Sequence, residues 1–97
     1  MIVRLVKMEF KQSEIENFRS IFLIAQPQIE KMKGCLSVNL HQDLKQPEIF
    51  FTISNWASDA SLKNYRQSEL FIITWKKVKP LFTKKAEAWS LTSPQNL

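Results

Sequence analysis

The sequence predicts an α+β domain, a ferredoxin-like split β-α-β-β-α-β sandwich with one antiparallel sheet and its helices on a single face. Three observations predict it. Period-two alternation, the mark of a strand, recurs at residues 2–10, 35–43, 49–56 and 85–91. Apolar residues at steps of three and four fill the stretches between the first and second strands and between the third and fourth. Right-handed crossovers then leave this arrangement as the economical one.

The first strand, 2–10, places Ile2, Arg4, Val6, Met8 and Phe10 on one side, and Val3, Leu5, Lys7 and Glu9 on the other. Arg4 is notable on the more apolar side. Ser13-Glu14-Ile15-Glu16 has the form of a capping box, with Ser13 as N-cap and Glu16 reaching back to it. Ile15, Phe18, Phe22, Ala25, Ile29 and Met32 then share one helical face. Pro27 removes a backbone donor, so a kink or short break is expected near Gln26. Gly34 is read as the left-handed C′ residue that ends the helix.

The second strand, 35–43, turns Leu36, Val38 and Leu40 one way, and Cys35, Ser37, Asn39 and His41 the other. Leu44-Lys45-Gln46-Pro47 reads as a hairpin turn. The third strand, 49–56, is rich in β-branched and aromatic residues and carries bulk on both faces. Both faces are therefore expected to be covered. Ser58 caps a short helix holding Ala60, Leu62 and Tyr65; Ser68 caps another holding Phe71, Trp75, Val78 and Phe82. Residues 85–91 form the last strand. The domain is read as 1–91, followed by a polar tail, 92–97.

Composition bounds the chemistry. The chain has 97 residues, 44% of them hydrophobic and 24% charged, the balance of one globular domain. One cysteine and one histidine, Cys35 and His41, exclude an internal disulfide and a multi-ligand His/Cys zinc site. A single glycine excludes the P-loop, the dinucleotide fingerprint and the nucleophile elbow, each of which needs more. The net charge is +5, concentrated late in Lys76, Lys77, Lys79, Lys84 and Lys85, which read as a solvated face. No leader-like or membrane-spanning run is visible, and a cytoplasmic location with a reduced thiol is expected. One sheet face is left without helices. The expected solution is a homodimer joined through the sheet faces, a two-fold contact.

The residues also resemble a known family. Gly34-Cys35-Leu36, Ile49-Phe50-Phe51, Trp56-Ala57-Ser58-Asp59, Leu62 and Tyr65 followed by Ser68-Glu69-Leu70-Phe71 are similar to the antibiotic biosynthesis monooxygenase (ABM) domain, over roughly residues 1–90. The resemblance implies a small dimeric α+β barrel. It implies an oxidoreductase, either a cofactor-independent monooxygenase of phenolic or quinol-type compounds or a haem-degrading oxygenase. This chain departs from the family's chemistry. Many relatives have histidines where Tyr65 and Leu70 stand, and often Glu where Ser54 stands. The haem-degrading branch has its iron ligand where Trp75 stands, and an indole cannot ligate iron.

The expected ligand pocket lies between sheet and helices. Its candidate substrate-binding residues are Ser54, Trp56, Tyr65, Phe71 and Trp75, since aromatic walls stack flat organic molecules. The catalytic candidates are Tyr65 and Arg4, which can stabilise a developing phenolate, and His41, which with Asp43 on the same strand face has the makings of an oriented base. The same aromatics at helical spacing also suit a plain core, which makes a non-catalytic dimeric domain with a vestigial pocket the rival reading. No cofactor, metal, nucleic-acid or membrane partner is expected. An RNA-binding module of the same element order would need a basic-Gly-aromatic signature on its third strand, and residues 49–54 have neither glycine nor a basic residue.

Overall fold

In the computed structural model, residues 1–94 are described. The part of the expected polar tail at 95–97 lies outside them. The elements run β1 (Ile2–Glu9), α1 (Ile15–Glu30), β2 (Cys35–Gln42), β3 (Ile49–Trp56), α2 (Asp59–Arg66), α3 (Glu69–Val78) and β4 (Glu87–Leu91). One-turn 3-10 segments, Gln12–Glu14 and Lys79–Leu81, precede α1 and follow α3. The four strands form one antiparallel sheet in the order β2-β3-β1-β4. This is the expected ferredoxin-like α+β arrangement. Among the described residues, no helix is long and apolar enough to cross a membrane.

The alternation of β1 decides which face the helices take. Met8 and Phe10 are almost fully buried, and Ile2 and Val6 pack on the same core. From β3, Phe50 and Trp56 join them; from α1, Phe18, Phe22, Ala25 and Ile29. The ring of Phe10 stacks on Phe18 at 4.1 Å between centroids and meets Phe50 edge-on at 5.8 Å. Such pairs add about 0.5–1.5 kcal/mol beyond burial. They bind the N-terminal half of α1 to the sheet. The chain after α3 closes the same end, where the Lys11 N–H donates to the Leu81 carbonyl at 3.0 Å and the Thr83 N–H to the Glu9 carbonyl at 2.9 Å.

Several local expectations are corrected. Ser13 does not cap α1. It lies inside the 3-10 turn, Glu14 is the N-cap residue, and no side chain caps that end. Glu16 instead pairs loosely with Arg19 at 3.9 Å. Pro27 does not break α1, which is continuous from Ile15 to Glu30. The missing donor orphans the carbonyl of Leu23, an exposed residue, where water can satisfy it.

The strand faces of β2 also differ. The pairing of β2 with β3 slips between Cys35 and Ser37, a β-bulge that takes Leu36 out of register. Cys35 therefore joins Val38 and Leu40 on the core side, while Leu36 is exposed. The second strand ends at Gln42 because Asp43 organises the hairpin loop. Its carboxylate accepts from the Lys45 and Gln46 backbone N–H groups at 3.0 and 2.8 Å. These hydrogen bonds hold the exposed carboxyl below the usual carboxylate range. Ser58 and Ser68 cap their helices as expected, accepting from Ser61 N at 3.1 Å and Phe71 N at 3.2 Å.

Gly34 is in the left-handed region, with φ of +83°, but beyond the helix end. It forms the turn at 32–35, where the Cys35 N–H donates to the Met32 carbonyl at 3.0 Å. The Gly34 carbonyl accepts from Ala57 N at 2.8 Å, fastening this turn to the end of β3. A Cβ here would run into the Oγ and Cβ of Ser61. Gly34→Ala is therefore expected to destabilise the fold by more than the roughly 1–2 kcal/mol of left-handed strain alone, read as a lower urea midpoint with unchanged slope.

Candidate functional site

The sheet and helices diverge over β1, β3 and β4, and a cavity of about 270 Å³ opens between them. That is near the lower end of ordinary ligand sites, about 300–1,000 Å³. Its floor is the core face of the sheet: Arg4, Val6 and Met8 from β1, Thr52 and Ser54 from β3, and Ala88 from β4. Its roof comes from the helices, with Phe18 and Phe22 on α1, Tyr65 and Arg66 on α2, and Phe71 and Trp75 on α3.

Each helical contribution has a local cause. The cap at Ser68 starts α3 directly after α2, so Tyr65 and Phe71 face each other edge-on at 5.2 Å. One turn on, Trp75 lies nearly parallel to Phe71, 5.7 Å away and inclined by 13°. Phe82 closes the row against Trp75 at 5.7 Å and 71°. The result is an aromatic wall of the kind that holds a flat molecule.

Of the expected binding residues, Ser54, Tyr65, Phe71 and Trp75 line the cavity. Trp56 is not among its lining residues. It is 0% exposed, a packed wall behind Tyr65, on which it stacks at 4.9 Å and 22°. Its indole Nε1 donates to Ser54 Oγ at 2.9 Å. That bond orients Ser54, whose own O–H is then left to donate.

Of the catalytic candidates, Arg4 and Tyr65 both line the cavity and His41 does not. His41 pairs across the ladder with Phe51, on the sheet face away from the helices, and is exposed. Asp43 is held by its loop amides. Arg4 donates to Ser90 Oγ at 3.0 Å. Its register neighbours are Ser54 on β3 and Ser90 on β4, so a polar row crosses the sheet floor. Burial, and then the nearby positive Arg66, lower the pKa of Arg4 from its ordinary value.

Burial is also the main reason why the phenol of Tyr65 is pushed up to about 12, with Cys35 adding to it. At neutral pH it is a hydrogen-bond donor and not a phenolate. The thiol of Cys35 is raised by burial and by the carboxylate of Glu30, which suppresses the thiolate. Periodicity did not single out Thr52, Arg66 and Thr74, which also line the cavity. The adjacency of Arg66 to Tyr65 is the one sequence signal that pointed there. Among the described residues, no group of three or more His, Cys, Asp or Glu side chains is placed to hold a metal.

An antiparallel β-α-β-β-α-β sheet with an aromatic cavity under its helices defines a class of small α+β domains. The family model for antibiotic biosynthesis monooxygenase matches residues 1–73, and the chain belongs to that ABM family. Among solved structures, a conserved protein from Methanosarcina mazei Go1 superposes with a TM-score of 0.90 at 21% identity, over 96% of this chain and 93% of that one. A crystal structure named antibiotic biosynthesis monooxygenase matches with a TM-score of 0.90 at 17% identity, over 96% and 98%. Rv0793 from Mycobacterium tuberculosis matches with a TM-score of 0.88 at 14% identity, over 95% and 93%. At these identities the likeness is one of fold. No curated protein sequence matches the chain.

Tyr65 is the chain's only tyrosine, so its titration is directly visible. Its folded pKa lies above the unfolded value of about 10, so its contribution to stability is complete below pH ~10 and is lost as pH rises toward about 12. Phenolate absorbance near ~295 nm is expected to appear only around pH ~12, or earlier only together with loss of the helical circular dichroism. A phenolate titrating near pH ~10 in the folded protein contradicts this burial.

Proposed function

We propose that this ABM-family domain is a cofactor-independent monooxygenase of a small phenolic or quinol-type aromatic compound. The observation that carries the reading is the cavity itself, in which Phe71 and Trp75 form an aromatic wall beside the neutral phenol of Tyr65 and the guanidinium of Arg4. A flat ring stacks on the wall. Tyr65 donates a hydrogen bond to the ring oxygen, and Arg4 stabilises the anion that forms there, favouring loss of the substrate's proton. The substrate anion then reduces dioxygen directly. A ring carbon conjugated with that oxygen exchanges its C–H for C=O and the ring C–O bond becomes a second C=O; one oxygen atom enters the product, and the other leaves as water with the ring hydrogen and the hydroxyl proton. The protein orients the ring and limits water around it.

One observation favours a second reading, a non-catalytic domain that binds the same kind of molecule in a vestigial pocket. No His, Asp, Glu or Cys is among the residues lining the cavity, so no side chain with a pKa near neutrality is available to take the substrate's proton.

We also propose that the domain works as a homodimer joined through its sheet faces. What supports this is the face without helices, where Val3, Leu5, Phe51 and Ile53 alternate out from the core and Trp89 and Leu91 remain 41% and 46% exposed.

Oxygen uptake over a panel of naphthols and hydroquinones tests the activity. The expected outcome is uptake above autoxidation for at least one compound, reduced about tenfold or more in Tyr65→Phe. A rise in melting temperature without uptake selects the binding-only reading, and neither signal refutes both. For the assembly, sedimentation at micromolar concentration is expected to give a dimer that Trp89→Glu converts to monomer. A wild-type monomer refutes the face-to-face contact.

A further inference from the structure

Charge around the cavity is one-sided. Two guanidinium groups, Arg4 and Arg66, line it, and no carboxylate does. The ion pairs among the described residues use other cations, Arg19, Lys63 and Lys84. The hydrogen bond of Arg4 goes to the neutral hydroxyl of Ser90, which leaves most of its five N–H donors unused. The two cations disfavour each other, since the charge of Arg66 acts on Arg4 in the same sense as burial. Among the described residues neither guanidinium has a carboxylate partner, and each repels the other.

The charged groups also lie together, with Arg66 near enough to act on Arg4, whereas the neutral Thr52 stands in the next row, opposite Val6. Arg4, Ser54 and Ser90 stand in one row of the ladder, and Tyr65 and Arg66 line the same cavity from α2. The adjoining rows carry Val6 and Met8 on β1, and Phe18, Phe22, Phe71 and Trp75 supply most of the aromatic lining from the helices. The cavity is thus amphipathic, with a cationic head region and an aromatic body.

We infer that its ligand is an amphipathic organic anion, a flat aromatic body bearing a carboxylate, whose charged end is held by Arg4 and Arg66. This rests on the reading of the cavity as a site for small aromatic molecules, and it narrows that class to acids. Bound there, the carboxylate supplies a counter-charge that no described residue brings to the cavity, and guanidinium and carboxylate meet as planar, bidentate partners. The aromatic body lies against Phe71 and Trp75.

Two probes of the same size separate the two claims: 2-naphthoate, an anion at neutral pH, and 2-naphthalenemethanol, its neutral counterpart. Binding is followed by calorimetry and by tryptophan fluorescence at physiological salt. Naphthoate is expected to bind about tenfold to a hundredfold more tightly, the range for one hydrogen-bonded contact to a charged group. Arg66→Gln changes an exposed side chain, so the fold survives it. Arg66→Gln and Arg4→Gln should each bring naphthoate toward the affinity of the alcohol, with the alcohol changed by less than about twofold. Lys76→Gln, outside the cavity, should alter neither. Equal affinities for acid and alcohol overturn the anion while leaving the aromatic site in place. Binding of neither overturns the aromatic site and the inference with it. A preference for the acid that survives both arginine variants assigns the anion to surface lysines and overturns the inference.

Discussion

A four-stranded sheet has two faces, and this chain has helices for only one of them. Most of the remaining structure follows from that inequality. Met8, Phe50 and Trp56 point toward the helices and are buried, while Leu5, Phe51 and Trp89 point away and are not. The covered side must then contain both the core and any internal space. The uncovered side is where further apolar burial remains to be gained, and that is the physical basis of the sheet-to-sheet assembly proposed for it.

Within the covered side, the aromatic residues divide between two tasks. Phe10, Phe18 and Phe50 close one end of the sandwich by direct ring contact. Trp56, Tyr65, Phe71 and Trp75 form a second series in which each ring contacts the next. Only the near end of that series is fully packed, since Trp56 is buried whereas Phe71 and Trp75 are half-buried. The cavity begins where the packing of the series stops. Arg4, Thr52 and Ser54 of its lining lie on the best-connected part of the sheet, because β1 and β3 are its two central strands. A guanidinium on a central strand is held by the ladder on both sides, which fixes its base more firmly than a loop would.

The chemistry this allows is restrained. Tyr65 is held neutral by burial, Cys35 is held as a thiol, and His41 is on the other face of the sheet. What remains in the cavity is a set of donors and positive charge. Such a site stabilises an anion and cannot itself accept a proton near neutrality. The proposed oxygenation therefore depends on the acidity of the substrate, and the inferred carboxylate head gives the arginines a role in binding as well as in charge stabilisation.

Much of the fold was legible in the alternation of residues 2–10 and 49–56 and in the serine caps at Ser58 and Ser68, because period and cap chemistry are local properties of the chain. The resemblance carried by Trp56-Ala57-Ser58-Asp59 and Ser68-Glu69-Leu70-Phe71 agrees with the family match, and Arg4, Ser54, Tyr65, Phe71 and Trp75, all legible as candidates in the sequence, line the cavity. The bulge at Leu36 was not legible, because a register slip depends on the partner strand. Alternation put His41 opposite Val38 and Leu40, but which of those faces the helices cover was settled only by the packing of Val38 and Leu40 on the core. Trp56 read as a pocket residue and proved to be packed wall, since only the position of Tyr65 above it decides how much of the indole is left uncovered. Arg66 gained its meaning from Arg4, a residue at the opposite end of the chain. The sequence by itself determined the elements and the side chains that carry the chemistry, because these follow from spacing along the backbone. The tertiary structure decided which of those side chains share a cavity, because that depends on how distant strands and helices face one another.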